Sequence, residues 1–303
     1  MNYYNFSNKK KMTRSLLDKG FFVAKNFLSK QNVLKVKKKI IQTLNKPKLL
    51  IEPHDIKNIK KEFLKRPSMH LKKKIGQKTL KKGYKYYSQF TNSVIVKDPL
   101  INFPEINNAI FNENLIEIAR RFFKAQPFIG FALIKCHFNN KLPENDLNLF
   151  HLDGIYADDR GEFPSYEKRF ALDNKNNYFK VLIPFHLTEN QQMEFRVIAL
   201  NRKRIKKRVY DSLQYATHSE VPKKIRKLIV NPRVFTKDLL FVDPVNYFHR
   251  AIKPKKLRIM LYLVLVKEKN YLISKAKKIK IRNDYFQTLS NTQRTFGRYL
   301  NTV

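Results

Sequence analysis

The chain carries a single cysteine, Cys136, and only seven glycines among 303 residues. A lone thiol rules out an intrachain disulfide and a thiolate-rich zinc site. Nowhere do the glycines form a phosphate-cradling loop, and no Ser-His-Asp order of a nucleophilic triad is visible. Long apolar runs are missing too. The longest, Ile259-Met260-Leu261-Tyr262-Leu263-Val264-Leu265-Val266 and residues 181–185, are strand-length, far below the ~18–20 consecutive apolar residues that span a bilayer. The opening residues MNYYNF hold no apolar h-region and no small-residue cleavage site, so a cytoplasmic location is expected. Neither an internal repeat nor a low-complexity linker divides the chain, and a single domain over 1–303 is expected.

Acidic residues are scarce as well: 24 Asp and Glu stand against 63 Lys and Arg, a formal net charge of +39. Lysine supplies 46 of those 63 cations. With abundant Asn and Ile, that skew fits an AT-rich coding sequence as readily as a functional demand. The distribution says more than the total. Residues 97–200 hold 12 basic and 14 acidic side chains, a net of −2. The excess lies in the flanks, in clusters beginning at Lys72 and Arg202. Such flanks attract nucleic acid, anionic lipid or a phosphorylated substrate without choosing among them. What the chain has in quantity is core material, 43% hydrophobic with 13% aromatic, enough to bury a substantial interior.

The first part, 1–125, reads as mainly helical. A helix is expected over 29–45, with Ser29 as N-cap and Val33, Leu34, Val36, Ile40, Ile41 and Leu44 at helical period. Gly20-Phe21-Phe22-Val23-Ala24 before it is a short strand candidate. The strongest helix signal is 104–123, with Pro104 at its start, Ile106, Ile110, Leu115, Ile116 and Ile118 inward, and Arg120-Arg121 near its end. From Pro127 the period changes to two. Strands are expected over 128–138, 147–152, 177–187, 194–200, 234–242, 247–251 and 257–266. They suggest an α+β protein whose 127–267 core is a double-sheet antiparallel barrel of jelly-roll type. A basic, helical insertion over 202–229 interrupts it, and 268–303 reads as a terminal helix or mobile tail.

His151-Leu152-Asp153 is the first feature that could carry chemistry. In a strand, positions i and i+2 share a face, so an imidazole and a carboxylate project together. His249 lies in a second strand candidate, Tyr247-Phe248-His249-Arg250-Ala251. Two imidazoles and one carboxylate on one face of an octahedron leave positions open, the arrangement used for non-haem Fe(II) and O2. His-x-Asp also arises by chance, and a capping His151 with a partly buried His249 is the plainer alternative. Arg258 enters the apolar run on the side of Met260, Tyr262 and Val264. Its planar fork suits a carboxylate, unless it marks only a solvent-exposed strand entrance.

These segments resemble the phytanoyl-CoA dioxygenase family of Fe(II)/2-oxoglutarate oxygenases, in a recognisable order. Leu17-Asp18-Lys19-Gly20-Phe21-Phe22-Val23-Ala24-Lys25-Asn26-Phe27-Leu28-Ser29 is similar to the family's N-terminal opening. Phe150-His151-Leu152-Asp153 matches the first two metal ligands, YFKVLIPFHLT the central strand, and the stretch from Asp238 to Ala251 the segment with the distal histidine. The resemblance implies a double-stranded β-helix that holds Fe(II) by His151, Asp153 and His249. It implies 2-oxoglutarate as cosubstrate, with Arg258 on its distal carboxylate and O2 as oxidant. The products would be succinate, CO2 and a hydroxylated substrate. Asp153 favours hydroxylation, because halogenating relatives have a small residue there.

The departures matter. Where many members have an Asn-Gly turn and a Gly-Ser-His segment, this chain has Glu189-Asn190-Gln191-Gln192-Met193-Glu194 and Ile198-Ala199-Leu200-Asn201. A small polar residue after the distal histidine is Ala251 here, and Leu152 replaces a polar residue between the first ligands. Cosubstrate contacts beyond Arg258 are therefore open; Lys135, on the Leu133-Lys135-His137 face, is a candidate second one, or a strand-edge lysine. His137 and His186 read as structural, and His54, His70 and His218 have no carboxylate at ligand spacing. Cys136 reads as a buried small hydrophobe. Residues 154–177 could be a lid or a solvated loop.

The main expectation is thus a dioxygenase acting on a small-molecule or carrier-linked, glycan or lipid precursor, anionic in one version. A catalytically inactive homologue is the alternative. So is a nucleic-acid-binding protein using 202–208 and 72–85, with Tyr84, Tyr86 and Tyr87 for stacking. Oligomeric state is not legible.

Overall fold

The computed structural model describes residues 3–4, 8–44, 50–51, 93–139, 149–153, 178–185, 192–213, 216–268 and 273–303. The expected 72–85 cluster, the 154–177 segment, His54, His70 and His186 lie outside these residues. In chain order the strands are β1 (Tyr3–Tyr4), β2 (Phe21–Ala24), β3 (Leu50–Ile51), β4 (Ser93–Val96), β5 (Pro127–His137) and β6 (Tyr178–Pro184). They continue with β7 (Phe195–Ile198), β8 (Ile229–Val230), β9 (Leu239–Val242), β10 (His249–Ala251), β11 (Arg258–Lys267), β12 (Lys280–Ile281) and β13 (Asn301–Thr302). The large sheet runs β1-β2-β9-β6-β11-β5-β4-β3, and a small sheet runs β10-β7-β8. Every pairing in these two sheets is antiparallel except β1 with β2.

Strict alternation along β11 explains how one strand serves two interiors. Ile259, Leu261, Leu263 and Leu265 are fully buried against the helical layer. Arg258, Met260, Tyr262 and Val264 turn to the other face and line a cavity. β5 does the same, sending Ala132, Ile134 and Cys136 to the helical side and Leu133, Lys135 and His137 to the cavity. The small sheet closes that face: Phe195 and Val197 pack with Phe21, Val23, Leu182, Leu240, Val242 and Met260. Two antiparallel sheets face to face over a ligand-sized cavity, backed by helices, make this the expected α+β, jelly-roll (double-stranded β-helix) fold.

Three helices cover the outer face: Lys9–Lys19, Lys30–Leu44 and Glu113–Phe123. The second follows the 29–45 expectation, and the Ser29 hydroxyl accepts from the Asn32 N–H at 3.2 Å. The third departs from it. Instead of one helix over 104–123 there is a 3-10 turn Pro104–Ile106, a short helix Asn107–Ile110, and a new start at Glu113. Asn112 is extended and its side chain accepts from Asn114 N–H at 2.9 Å, a cap that competes successfully with helix continuation.

Several strands are shorter than expected, among them 194–200, which is strand over Phe195–Ile198, and 247–251, which is strand over His249–Ala251. Over 234–242 only Leu239–Val242 is strand, because the Asp238 carboxylate gathers Phe235 N–H, Asn26 N–H and the Lys25 ammonium into a turn, with Lys237 at φ +83°. Of the strand expected over 147–152, the described residues 149–152 form no ladder, only isolated bridges at Phe150 and His151. The C-terminal region is no mobile tail. Helices Asn283–Thr288 and Asn291–Gly297 and the parallel β12–β13 pair bury Ile281, Leu289, Phe296 and Leu300 in the main core. Among the described residues no helix is long and apolar enough to cross a membrane.

Candidate metal centre and its cavity

The ligand-bearing segment is held by backbone rather than by a strand of its own. Phe150 N–H donates to Ala216 O at 2.9 Å, His151 and His249 exchange two N–H···O bonds at 3.0 Å, and Asp153 N–H reaches Pro244 O at 2.8 Å. The sequence expectation of a shared strand face for His151 and Asp153 is therefore met by a bend pinned at three points. Beneath it the 202–229 insertion forms a separate core: Ile205, Tyr210, Leu213, Ala216 and Val221 pack with Phe150, Leu152, Ile198 and Phe248. The insertion is a support for the site. Arg202, expected in an exposed basic cluster, is instead 2% exposed and donates to Asn246 Oδ1 at 3.3 Å, fixing the turn that leads to His249.

Another anchor comes from the N-terminus. Gly20 ends the Lys9–Lys19 helix at φ +81°, its N–H on Leu16 O at 3.1 Å, and its carbonyl accepts Asp243 N–H at 2.8 Å. A Cβ at Gly20 would lie 2.2 Å from the ring of Tyr247, two residues before His249. Only glycine permits both the left-handed backbone and that approach.

His151, Asp153 and His249 converge, each offering one ligand atom within 4.8 Å of the others. Asp153 Oδ1 is 3.6 Å from His151 Nε2 and 3.7 Å from His249 Nε2. Around an ion with bonds of about 2.1 Å, adjacent octahedral ligands sit roughly 3 Å apart, so the carboxylate and the imidazoles must draw together by more than half an ångström to close the set. Each imidazole turns Nδ1 to a backbone carbonyl, His151 to Leu149 O at 2.8 Å and His249 to Tyr247 O at 3.2 Å. Donation there places the Nε2 lone pairs on the side of Asp153, the orienting contact that metal-ligating histidines use. Burial, then the adjacent His151 ring, push the His249 pKa down to about 3 despite Asp153. Burial opposes ionisation of Asp153, but Lys180 and the two imidazoles outweigh it and hold the carboxyl well below its ordinary value. The donor set, neutral nitrogen with an ionised oxygen, is the one a first-row divalent metal takes.

Lys180 escaped the sequence reading. Its ammonium forms an ion pair with Asp153 Oδ2, from the middle of β6, where it pairs with Val242 and Val264. The signal was present: one lysine inside the otherwise apolar YFKVLIP.

The cavity, about 210 Å³, is lined by His151 and His249 together with Lys180, Leu182, Phe195, Met260 and Arg258. Arg258 is 2% exposed, which removes the solvent-exposed alternative. Its Nη1 donates to Ile252 O at 2.8 Å and Glu194 O at 3.3 Å, and its buried Nε has no partner. Among the described residues no carboxylate forms an ion pair with it. Lys135 lines the same cavity. His137, also in the wall, sits 2.9 Å from the Tyr262 hydroxyl; burial, Arg258 and Lys135 hold its pKa well below the usual histidine value. It has no place in the metal cluster, and neither does His218, which sits apart near Arg196 and Arg226. Cys136 is fully buried on the opposite face of β5.

The chain matches no protein-family model and no curated protein sequence. Solved structures do resemble it. HygX from Streptomyces hygroscopicus, with nickel, 2-oxoglutarate and hygromycin B bound, aligns at a TM-score of 0.50 and 9% identity over 86% of this chain and 87% of its own. The epimerase SnoN, in complex with Fe3+, alpha ketoglutarate and nogalamycin RO, gives a TM-score of 0.50 at 11% identity, covering 86% and 84%. The likeness is one of fold.

Proposed function

We propose that the chain is a 2-oxoglutarate-dependent non-haem iron dioxygenase, of phytanoyl-CoA dioxygenase type, that hydroxylates a small-molecule, glycan or lipid precursor. One observation carries the reading: His151 and His249, which converge with Asp153, line the same cavity as the buried cation of Arg258. Solved proteins of this fold hold iron or nickel together with 2-oxoglutarate, the combination such a cavity suits. His151 Nε2, His249 Nε2 and one Asp153 oxygen would hold the metal. When bound, and with O2 as the oxidant, the iron would supply the oxidative decarboxylation of 2-oxoglutarate to succinate and CO2, one oxygen atom going to succinate and the other to a substrate C–H bond.

The protein's own part is binding, orientation and exclusion of water. The carbonyls of Leu149 and Tyr247 keep both imidazoles in the tautomer that presents Nε2. The Arg258 guanidinium, desolvated and only partly satisfied by two carbonyls, takes the distal carboxylate of the cosubstrate; Lys135 is a second cation on the same wall. Leu182, Met193, Phe195 and Met260 give the cavity walls an apolar surface, which strengthens those charge contacts by keeping water out.

Anaerobic Fe(II) titration with 2-oxoglutarate, watching for the visible charge-transfer band of the chelate, tests the assignment directly. On admission of O2, succinate should form in proportion to the O2 consumed. Substituting His151→Ala or Asp153→Ala should remove the metal, whereas Arg258→Ala should raise the 2-oxoglutarate requirement and leave metal binding intact. Absence of metal binding at millimolar Fe(II), with no cosubstrate turnover, would refute the proposal.

A further inference from the structure

Lys180 is unexplained by the chemistry just proposed. A dication needs Asp153 as its one anionic ligand, yet Lys180 already offers that carboxylate an ammonium. The backbone of Lys180 cannot retreat, because β6 is hydrogen-bonded to β9 on one side and β11 on the other. Among the described residues Asp153 is its one ion-pair partner, and Leu182, Val242 and Val264, which line the same cavity, are apolar.

Counting charges gives the consequence. Two neutral imidazoles, one carboxylate and one ammonium sum to zero. A divalent metal alone brings the site to +2 with the ammonium still facing it. The dianion of 2-oxoglutarate lowers that charge, one of its carboxylates being matched by Arg258 and the other left to offset the metal. We infer that Lys180 makes metal binding conditional on the cosubstrate: it competes with the dication for Asp153 until 2-oxoglutarate supplies the compensating negative charge. This rests on the dioxygenase reading and adds a property to that site. Because coupling between two ligands is reciprocal, the metal must strengthen 2-oxoglutarate binding by the same factor.

The experiment uses the full chain and Co(II), whose visible absorption reports coordination without turnover. Co(II) is titrated with and without saturating 2-oxoglutarate into the native protein, Lys180→Met and Lys180→Arg. A like charge within about 4–6 Å moves such equilibria by about tenfold or more. Lys180→Met should therefore bind Co(II) about tenfold or more tightly in the absence of 2-oxoglutarate. The enhancement produced by 2-oxoglutarate should shrink by a comparable factor, while Lys180→Arg keeps both native values. Unchanged or weaker Co(II) binding by Lys180→Met, without cosubstrate, overturns the inference and leaves the dioxygenase reading standing. No Co(II) binding by any of the three proteins, with or without 2-oxoglutarate, defeats the dioxygenase reading itself. If Lys180→Met folds poorly by circular dichroism, Lys180→Gln against Lys180→Arg carries the same comparison. Reciprocity in the native protein, 2-oxoglutarate affinity with and without Co(II), checks the coupling with no substitution at all.

Discussion

The insertion at 202–229 should influence the metal site without touching it. Leu213 is fully buried in the cluster that also contains Phe150, Tyr210 and Phe248. Truncating it to alanine removes side-chain packing from under the segment that carries His151 and Asp153. A buried Leu→Ala change costs about 2–5 kcal/mol of global stability. Only the part that loosens Phe150 from Ala216 reaches the ligands, and a single backbone hydrogen bond is worth about 1 kcal/mol. The His151–His249 exchange and the Asp153–Pro244 bond stay in place, so the ligands are loosened rather than lost. Leu213→Ala should thus weaken Co(II) binding roughly fivefold, the equivalent of about 1 kcal/mol. The control is Leu115→Ala, equally buried but packed in the helical layer on the other side of the large sheet. It should lower the melting temperature comparably and leave Co(II) affinity within a factor of about two, as expected for a site that shares no partner with the ligands. Equal losses of affinity in both variants, or none in Leu213→Ala, would show that the insertion is not a specific support.

The metal-free protein should be acid-sensitive. His137 and His249 have folded pKa values below the unfolded value of about 6.5, so under that pH only the unfolded chain takes up their protons. Stability should fall as pH drops, by up to ~1.4 kcal/mol per unit for each histidine. Urea midpoints measured from pH 7.5 down to 5 report it, and a midpoint that is flat or rises on acidification contradicts the assignment. Cys136 is the lone thiol, fully buried, with its pKa pushed up by burial. An aromatic disulfide reagent should label it only at the rate at which β4, β5 and β11 separate; fast labelling of native protein would contradict the packing.

Much of the core was legible because its signal is local. The alternation of Arg258 through Val266 announces a strand with two different faces, and β11 has that property. Ser29 and the apolar spacing after it announce a helix, which forms over Lys30–Leu44. The readings that failed depend on contacts distant in sequence or on side chains competing with backbone. Asn112 reads as helix interior until its own side chain takes the Asn114 amide. Arg202 reads as surface charge until Asn246, far along the chain, provides a buried partner. The C-terminal region carries too few apolar residues to look like core, yet Phe296 and Leu300 find the Glu113–Phe123 helix and β5 already waiting. In the candidate site, His151, Asp153 and His249 were nominated by residue type and order. Their convergence rests on single bridges that no periodicity encodes, and Lys180 is visible only once β6 is placed beside the ligand segment.

The close approach of Tyr247 to Gly20 has a consequence for variation and for engineering. Because that ring occupies the space where any larger residue at position 20 would put its first carbon, the helix end and the histidine strand cannot drift apart independently. Enlarging residue 20 would displace Tyr247 and, through its carbonyl, unlock the Nδ1 contact that aligns His249. A substitution in the first two dozen residues, remote from any substrate, is thereby able to spoil coordination. Shortened versions that begin after the first helix would discard part of the scaffold on which His249 is aligned.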